Sequence, residues 1–294
     1  MPFWTYQNLA DVTQGTWLVK HRDLQQQVTG LWHDTRDLKH GQAYLAIKGD
    51  NFDGHDFLDK AFDAGAALAI VSAEPAISTP SPILKVDDTI VALQDLARAY
   101  RNELKAGGCR VIGIAGSNGK TTTRHLIHHV LTHAGLTGTQ SPKSFNNHLG
   151  VPLTLLSGKP QDDFVACEIG TNHPGEIDFL SAIARPDIAV ITSIGEEHLE
   201  FFKDLEGVAK DELSIIHHVV NHGDLVLGEF RNWLNKAEEL AGTRIDVHRY
   251  IDDANQPPPS FPLLGNHNQI NAAMTGAVAR LMGARFPDWY EAFN

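Results

Sequence analysis

Between Arg110 and Leu126 the chain reads Arg-Val-Ile-Gly-Ile-Ala-Gly-Ser-Asn-Gly-Lys-Thr-Thr-Thr-Arg-His-Leu, and no other stretch restricts the fold as strongly. Val111, Ile112, Ile114 and Ala115 form a short, nearly continuous apolar run, the pattern of a parallel strand buried on both faces. Gly116, Ser117, Asn118 and Gly119 then allow a sharp turn in which backbone amides can approach a phosphate. Lys120 supplies a positive charge for β- and γ-phosphates, and the Thr121 hydroxyl suits a magnesium ion bridging them. The segment predicts a strand, a phosphate-binding loop and a helix, with ATP as the natural guest. The plainer alternative is a glycine turn with an exposed lysine; the apolar strand before it and the helix after it speak against that. The general pattern G-x-x-x-x-G-K-[ST] is met imperfectly, because its first glycine falls on Ile114 and Gly113 comes one place too early.

A chain of 294 residues exceeds the ~100–200 residues of a typical domain and predicts two domains. Lysine and arginine total 24 against 36 acidic residues, a net charge of -12. Nucleic acids and anionic membranes require a basic surface, so both are excluded as expected partners, and any phosphate site must be local. Cys109 and Cys167 lie in separate apolar runs, which supports neither a disulfide framework nor a zinc knuckle and predicts buried thiols. The N-terminus lacks a basic region followed by an apolar one, and no window approaches the ~18 apolar residues of a membrane span. A cytoplasmic location without membrane insertion is expected.

Residues 1–86 read as a small α/β domain and residues 87–294 as a second one containing the phosphate loop. In the first, a strand is predicted at 43–48, a helix through Phe57, Leu58, Ala61, Phe62 and Ala66, and a strand at 67–71. The loop from Glu74 to Pro82 reads as a surface connection. A helix from Asp88 to Leu104 buries Ile90, Leu93, Ala97, Tyr100 and Leu104, is capped by Asp88 or Thr89, and stops at Gly107-Gly108. Further buried strands are predicted at 164–169, 187–192 and 224–227. Strands alternating with helices imply a mainly parallel sheet whose ligands gather at the carboxyl ends of the strands.

Four segments of the second domain resemble the Mur ligase family: Gly116-Ser-Asn-Gly-Lys-Thr-Thr-Thr123, Ser144-Phe-Asn-Asn-His-Leu-Gly-Val-Pro-Leu-Thr-Leu-Leu156, Glu168-Ile-Gly-Thr-Asn-His-Pro-Gly-Glu-Ile177 and Gly265-Asn-His-Asn-Gln-Ile-Asn-Ala-Ala273. In the first domain, Asp34-Thr-Arg36, Leu45-Ala-Ile-Lys-Gly49 and Phe52-Asp-Gly-His-Asp-Phe57 resemble the UDP-sugar-binding domain of the MurE and MurF branches. The third of the four segments selects the MurF branch, and the resemblance covers essentially the whole chain. It implies an α/β fold in which a small N-terminal UDP-sugar-binding domain precedes a central P-loop domain with a mainly parallel sheet. The implied activity is ATP- and Mg²⁺-dependent amide ligation in peptidoglycan synthesis. D-alanyl-D-alanine would be added to UDP-N-acetylmuramoyl-tripeptide through an acyl phosphate, by a monomer.

The resemblance implies roles residue by residue. ATP would meet Ala115, Gly116, Ser117, Asn118, Gly119, Lys120, Thr121 and Thr122, with His267, Asn268 and Asn271 bordering adenine and ribose. The UDP-substrate would meet Asp34, Thr35, Arg36, Lys48, Asp53, Gly54 and His55, and also Asn146, Asn147 and Asn172. Lys120, Glu168 and His198 would be catalytic, and Thr121, Glu168, His198 and Glu212 would hold metal. Read as residues alone, Glu168 also fits a buried hydrogen-bonding partner, His198 a surface histidine, and the asparagines turn formers or helix caps. Glu212 falls where several family members carry a carbamoylated lysine, so it would supply the carboxylate directly; Lys210 as the modified residue, or Glu212 as a solvated helix residue, stays open. His125, His129 and His133, and likewise His218 and His222, have the i, i+4 spacing of a helical metal site, but no carboxylate or cysteine pattern completes either set. The family's third domain, with its Asp-x-Tyr-Asn-Ala-Asn-Pro segment, is expected to be absent. That predicts binding of the UDP-substrate, weakened ATP binding and little turnover. A non-catalytic UDP-sugar- or nucleotide-binding module, or a folylpolyglutamate-synthetase-like ligase, is the alternative.

Overall fold

A computed structural model describes residues 2–75, 79–143, 145–230, 232–249, 256–257, 261–285 and 288–293. The chain divides into two compact units, Met1–Glu103 and Leu104–Asn294. The division falls later than the boundary read near Val86, because most of the helix after it groups with the first unit. Part of the Glu74–Pro82 loop and most of the Tyr250–Phe261 connection lie outside the described residues.

The first unit contains α1 (Tyr6–Thr13), β1 (Thr16–Val19), β2 (Leu31–Trp32), β3 (Ala43–Leu45), α2 (Leu58–Asp63), β4 (Leu68–Val71), β5 (Ile83–Lys85) and most of α3 (Thr89–Gly107). Its sheet runs β1-β5-β4-β3-β2, parallel except between β1 and β5. Tyr44, Ala46, Leu58, Ala61, Ala69, Val71 and Ile83 form a buried cluster between sheet and α2. The strand predicted at 43–48 is shorter because Lys48 leaves the ladder for an isolated bridge with Asp53. At the start of α3, the Asp88 carboxylate accepts the amides of Ile90 (2.6 Å) and Val91 (3.1 Å), which settles the cap in favour of Asp88.

The second unit contains β6 (Arg110–Ala115), α4 (Lys120–His133), β7 (Gly138–Gln140), α5 (Gly150–Ser157), β8 (Phe164–Glu168), α6 (Glu176–Ala184), β9 (Ile188–Ile191), α7 (Leu199–Phe202), α8 (Leu205–Leu213), β10 (Gly223–Leu227), α9 (Leu234–Ala241), β11 (Ile245–Arg249), α10 (Asn266–Leu281) and α11 (Asp288–Glu291). Its six strands are all parallel, in the order β11-β10-β9-β6-β8-β7. Ile112, Ile114, Ala166, Ile188, Val190 and Val226 pack on one face against Ile127, Val130 and Leu131 of α4 and Met274 and Val278 of α10. On the other face Gly113 leaves room for Pro186, Ile169 and Ile215. Burial on both faces is why these strands read as unbroken apolar runs. After β6 the chain passes to β7 at the sheet edge, returns to β8 beside β6, then crosses to β9 on the other side of β6. The loops after β6 and β9 therefore meet where the strand order reverses, the usual ligand crevice of such a sheet.

Among the described residues no helix is long and apolar enough to cross a membrane. Cys109 and Cys167 are buried and free, and burial pushes the Cys167 thiol up to about 12.

Near the amino end of β10, Asp224 receives Arg110 (2.8 Å) and faces His248 Nε2 (3.0 Å). Burial raises its carboxyl, but the His248 and Arg110 contacts outweigh it and leave the value below the usual aspartate range. A carboxyl depressed by folding contributes stability above its unfolded value near pH 4, and that contribution is lost as pH falls through the folded value. Asp224→Asn should therefore lose about 1–3 kcal/mol at pH 7 in urea unfolding, with the gap to wild type closing below about pH 4. Equal stabilities at pH 7 would contradict this.

Candidate functional site

The turn between β6 and α4 is built from backbone conformations that glycine supplies. Gly116 has φ +120° and Gly119 φ +90°. A Cβ on Gly116 would lie 2.3 Å from Thr192 Oγ1, and one on Gly119 2.8 Å from Asn271 Oδ1, so neither position has room for a side chain. The loop after β9 braces the turn: Ser117 N donates to Ser193 O (2.9 Å), Asn118 N to Ser193 Oγ (2.9 Å) and Gly195 N to Ser117 Oγ (2.9 Å). Thr192 Oγ1 donates to Asn118 O (2.6 Å) and Ala115 O (3.1 Å). Lys120, the first residue of α4, curls back so that Nζ donates to the carbonyls of Gly116 and Ser117.

Register places Glu168 at the carboxyl end of β8 opposite Ile114. Its carboxylate, 2% exposed, accepts Thr121 Oγ1 (3.1 Å to each oxygen), Arg124 Nε (3.2 Å) and Asn146 Nδ2 (3.2 Å). Arg124 is buried on α4 and also donates to Gln140 Oε1 (2.8 Å), Ser141 O and Lys143 O (3.0 Å). The sequence reading did not single out Arg124, although an arginine on an otherwise apolar helix face was its signal. Glu168 is thus a structural partner by observation, and its oxygens beside the Thr121 hydroxyl form a pair of hard donors that fits a magnesium ion.

Glu212 is fully buried, which removes the reading of it as a solvated residue. Its Oε2 accepts the Gly116 amide at 2.6 Å. Burial pushes its carboxyl well above the ordinary glutamate range; Lys120 opposes the rise, and the neighbouring Glu197 carboxyl adds to it. Glu197 Oε1 and Glu212 Oε1 are both buried without a hydrogen-bond partner. His198 is exposed at the start of α7 with φ +45°. Among the described residues no three or more His, Cys, Asp or Glu side chains are grouped so as to hold a metal ion, so Glu168, His198 and Glu212 do not form one ligand cluster.

Around this centre the asparagines divide. Asn146 reaches Glu168, whereas Asn147 Oδ1 accepts the amides of Leu149 (3.2 Å) and Gly150 (2.9 Å) and caps α5. The loop carrying Asn172 is tied by Glu176 Oε2, which accepts the amides of Asn172 (2.6 Å) and His173 (3.1 Å). Between them opens a cavity of about 270 Å³ lined by Asn147, His148, Pro174, Gly175, Glu176, Phe179 and Leu180. Asn271 packs on Gly119. Asn268 donates to Leu264 O (2.8 Å), and His267 is exposed. The spaced histidines form no metal set: His129 Nε2 lies 3.1 Å from Ala292 O, and His217 and His218 face Asp178. The helical spacing of His218 and His222 is broken by a turn, His222 having φ +59°.

In the first unit, Asp34 accepts Arg36 Nε (2.9 Å), and these hydrogen bonds hold its carboxyl down at about 2. Asp53 Oδ1 accepts the His55 amide (3.0 Å) and lies 2.5 Å from His55 Nδ1. His55 Nε2 accepts the Ser72 amide (2.9 Å), so the ring proton sits on Nδ1. Gly54 lies too close to Ile47 for a Cβ, which would be 2.6 Å from its amide nitrogen. Its carbonyl accepts the Tyr44 hydroxyl (2.9 Å), which burial, with the charges of Asp34 and Asp53, pushes up to about 12. Lys48 bridges back to Asp53.

Comparison with known proteins fits both units. The Mur ligase family catalytic domain matches residues 27–101, and the Mur ligase middle domain matches residues 114–256. The chain is 37% identical over 306 residues to UDP-N-acetylmuramoyl-tripeptide--D-alanyl-D-alanine ligase of Bacillus subtilis, covering 95% of this chain and 64% of that protein. It therefore spans somewhat less than two thirds of that relative's length. The crystal structure of MurF from Acinetobacter baumannii superposes with a TM-score of 0.84 at 29% identity, over 99% of this chain and 67% of that one. MurF from Thermotoga maritima, solved in complex with ADP, shares the fold with a TM-score of 0.71 at 23% identity, over 87% and 64%. With a Mur ligase domain matched to each of its two units, this chain belongs to the Mur ligase family.

Proposed function

We propose that this chain is an ATP-dependent amide ligase of peptidoglycan precursor synthesis that joins D-alanyl-D-alanine to UDP-N-acetylmuramoyl-tripeptide. The observation that carries the reading is the Thr121–Glu168 contact beside the glycine turn, in a chain 37% identical to a ligase of that name. The first amides of α4 and the Lys120 ammonium would receive the phosphates of ATP, Lys120 exchanging the carbonyls of Gly116 and Ser117 for phosphate oxygens. A magnesium ion held by Thr121 and Glu168 would neutralise phosphate charge. Asp34, Thr35, Arg36, Lys48, Asp53, Gly54 and His55 are the proposed contacts to the UDP-sugar. Asn146, Asn172 and the cavity lined by Asn147 and Glu176 are the proposed contacts to the peptide.

In this reaction the peptide carboxylate attacks the γ-phosphorus and ADP leaves, giving an acyl phosphate. The dipeptide amine then adds to the acyl carbon, and the tetrahedral intermediate expels inorganic phosphate as the amide forms and the amine loses a proton. Every step moves negative charge between oxygens, so the protein's contribution is positioning and charge neutralisation rather than a nucleophile with its base. That accounts for a site made of one lysine, one arginine-braced carboxylate and backbone amides.

Phosphate release from ATP should require both UDP-N-acetylmuramoyl-tripeptide and D-alanyl-D-alanine, and UDP but not folate should compete. Slow dipeptide-dependent release accords with the little turnover expected of these two domains, whereas saturable binding of the UDP-substrate with no dipeptide-dependent release at all would overturn the ligase reading in favour of a binding module. Competition by folate would favour a folylpolyglutamate-synthetase-like enzyme.

A further inference from the structure

Asp211 and Glu212 are consecutive on α8, both are buried, and each accepts an amide from a glycine in a different loop of the site. Glu212 Oε2 takes Gly116 of the phosphate loop at 2.6 Å, and Asp211 Oδ1 takes Gly175, at the end of the loop after β8, at 2.5 Å. Both glycines have positive φ, +120° and +90°. We infer that Asp211 is a positioning residue: together with Glu212 it straps the phosphate loop to the Asn172 loop, so that nucleotide bound at the first orders the second and the cavity beside it. The inference rests on the nucleotide-binding reading given above.

The α-carbons of Asp211 and Glu212 sit on one helical turn, so a shift of that backbone moves both attachment points together. The helix is capped at its start, where Asp204 Oδ1 accepts the Gly207 amide (2.8 Å). Phosphate held by the first turn of α4 fixes the glycine turn before it, and Gly116 fixes Glu212. The rigid backbone between Glu212 and Asp211 carries that constraint to Gly175. At the loop's other end the Thr171 hydroxyl donates within the loop, to His173 O (2.9 Å), while burial pushes the Asp211 carboxyl up against the pull of the Gly175 amide. Asp211 therefore holds the loop that carries Asn172 at the end where it enters α6. Within that loop, Glu176 gathers the amides of Asn172 and His173. The loop's shape is thus set by two carboxylates, one its own and one delivered by α8. Gly175 and Glu176 line the cavity, so ordering the loop shapes the wall that the peptide would meet. This is coupling through a contiguous chain of hydrogen bonds and one rigid element, with two named ends.

The test is hydrogen exchange read by mass spectrometry on the intact chain, with and without a non-hydrolysable ATP analogue and magnesium. In the wild type the analogue should slow exchange at residues 116–122 and also, by roughly tenfold, at residues 170–177. In Asp211→Ala the first segment should still respond and the second should not. Asp211→Asn, whose side-chain oxygen can still accept the Gly175 amide, should restore the response. A merely structural role would loosen residues 170–177 equally with and without nucleotide and leave their response to it intact. Asp211→Ala responding like wild type at 170–177, or a wild type that does not respond there, would overturn the inference. A wild type silent at 116–122 would overturn the nucleotide reading itself, and the strap with it.

Discussion

At Gly116 the chain must leave a fully buried strand and enter a helix within four residues, with Thr192 and Ser193 pressed against its α-carbon. The backbone there adopts φ +120°, which a side-chain-bearing residue could reach only against steric clash. Once that turn is accepted, much of the unit follows. Helix α4 starts at Lys120 with its first amides exposed at the carboxyl end of the sheet, and α4 and α10 pack as a pair over Ile112, Ile114 and Val190. Asn271 of α10 closes on Gly119. The loops after β9 and β8 are then placed by strand order and register, and they bring Ser193 and Glu168 to the turn.

The charges around the turn are arranged as two carboxylates in contrasting settings. Glu168 is met by Arg124, Asn146 and Thr121, so its charge is compensated in place and its oxygens are held in a fixed direction. Glu212 has the Gly116 amide and the field of Lys120 on one side and another acid, Glu197, on the other. An unmatched buried carboxylate costs several kcal/mol unless a proton or a cation answers it. The environment of Glu212 is therefore the more responsive of the two to what arrives at the phosphate loop. Lys120 makes the same point from the cationic side. Its ammonium is held by carbonyl oxygens of its own loop, contacts that an anion can replace.

Much of this was legible in the sequence. The strand–turn–helix from Arg110 onward, β8, β9, β10 and α3 are marked by local signals: continuous apolar runs, paired glycines, and Asp88 before a helical face. The four motifs that resemble the Mur ligases carried the family. What stayed hidden depended on contacts between residues far apart in sequence. Strand β7 is Gly-Thr-Gln, with no apolar signature, and exists because β8 supplies a ladder. The resemblance marks Glu212 as a metal ligand, yet nothing within ten residues of it reveals that it accepts the amide of Gly116, 96 positions away. Asp211 is equally silent about Gly175. In the reverse direction, Asn147 and Asn268 match family positions, yet each bonds its own neighbourhood, since short polar side chains at helix starts satisfy free amides and carbonyls. The helix spacing of His218 and His222 failed because the chain turns at Val219 before His222 is reached.

Calorimetric titration of a non-hydrolysable ATP analogue with magnesium into wild type and Lys120→Ala measures most directly whether the phosphates of ATP lie against the turn before α4. The wild type should bind saturably and the variant should lose at least roughly tenfold, the equivalent of about 1.4 kcal/mol or more for one charged hydrogen-bond donor. Affinity for UDP-N-acetylmuramoyl-tripeptide should stay the same in both proteins. Equal nucleotide affinity in both proteins, or none in the wild type, would contradict that placement.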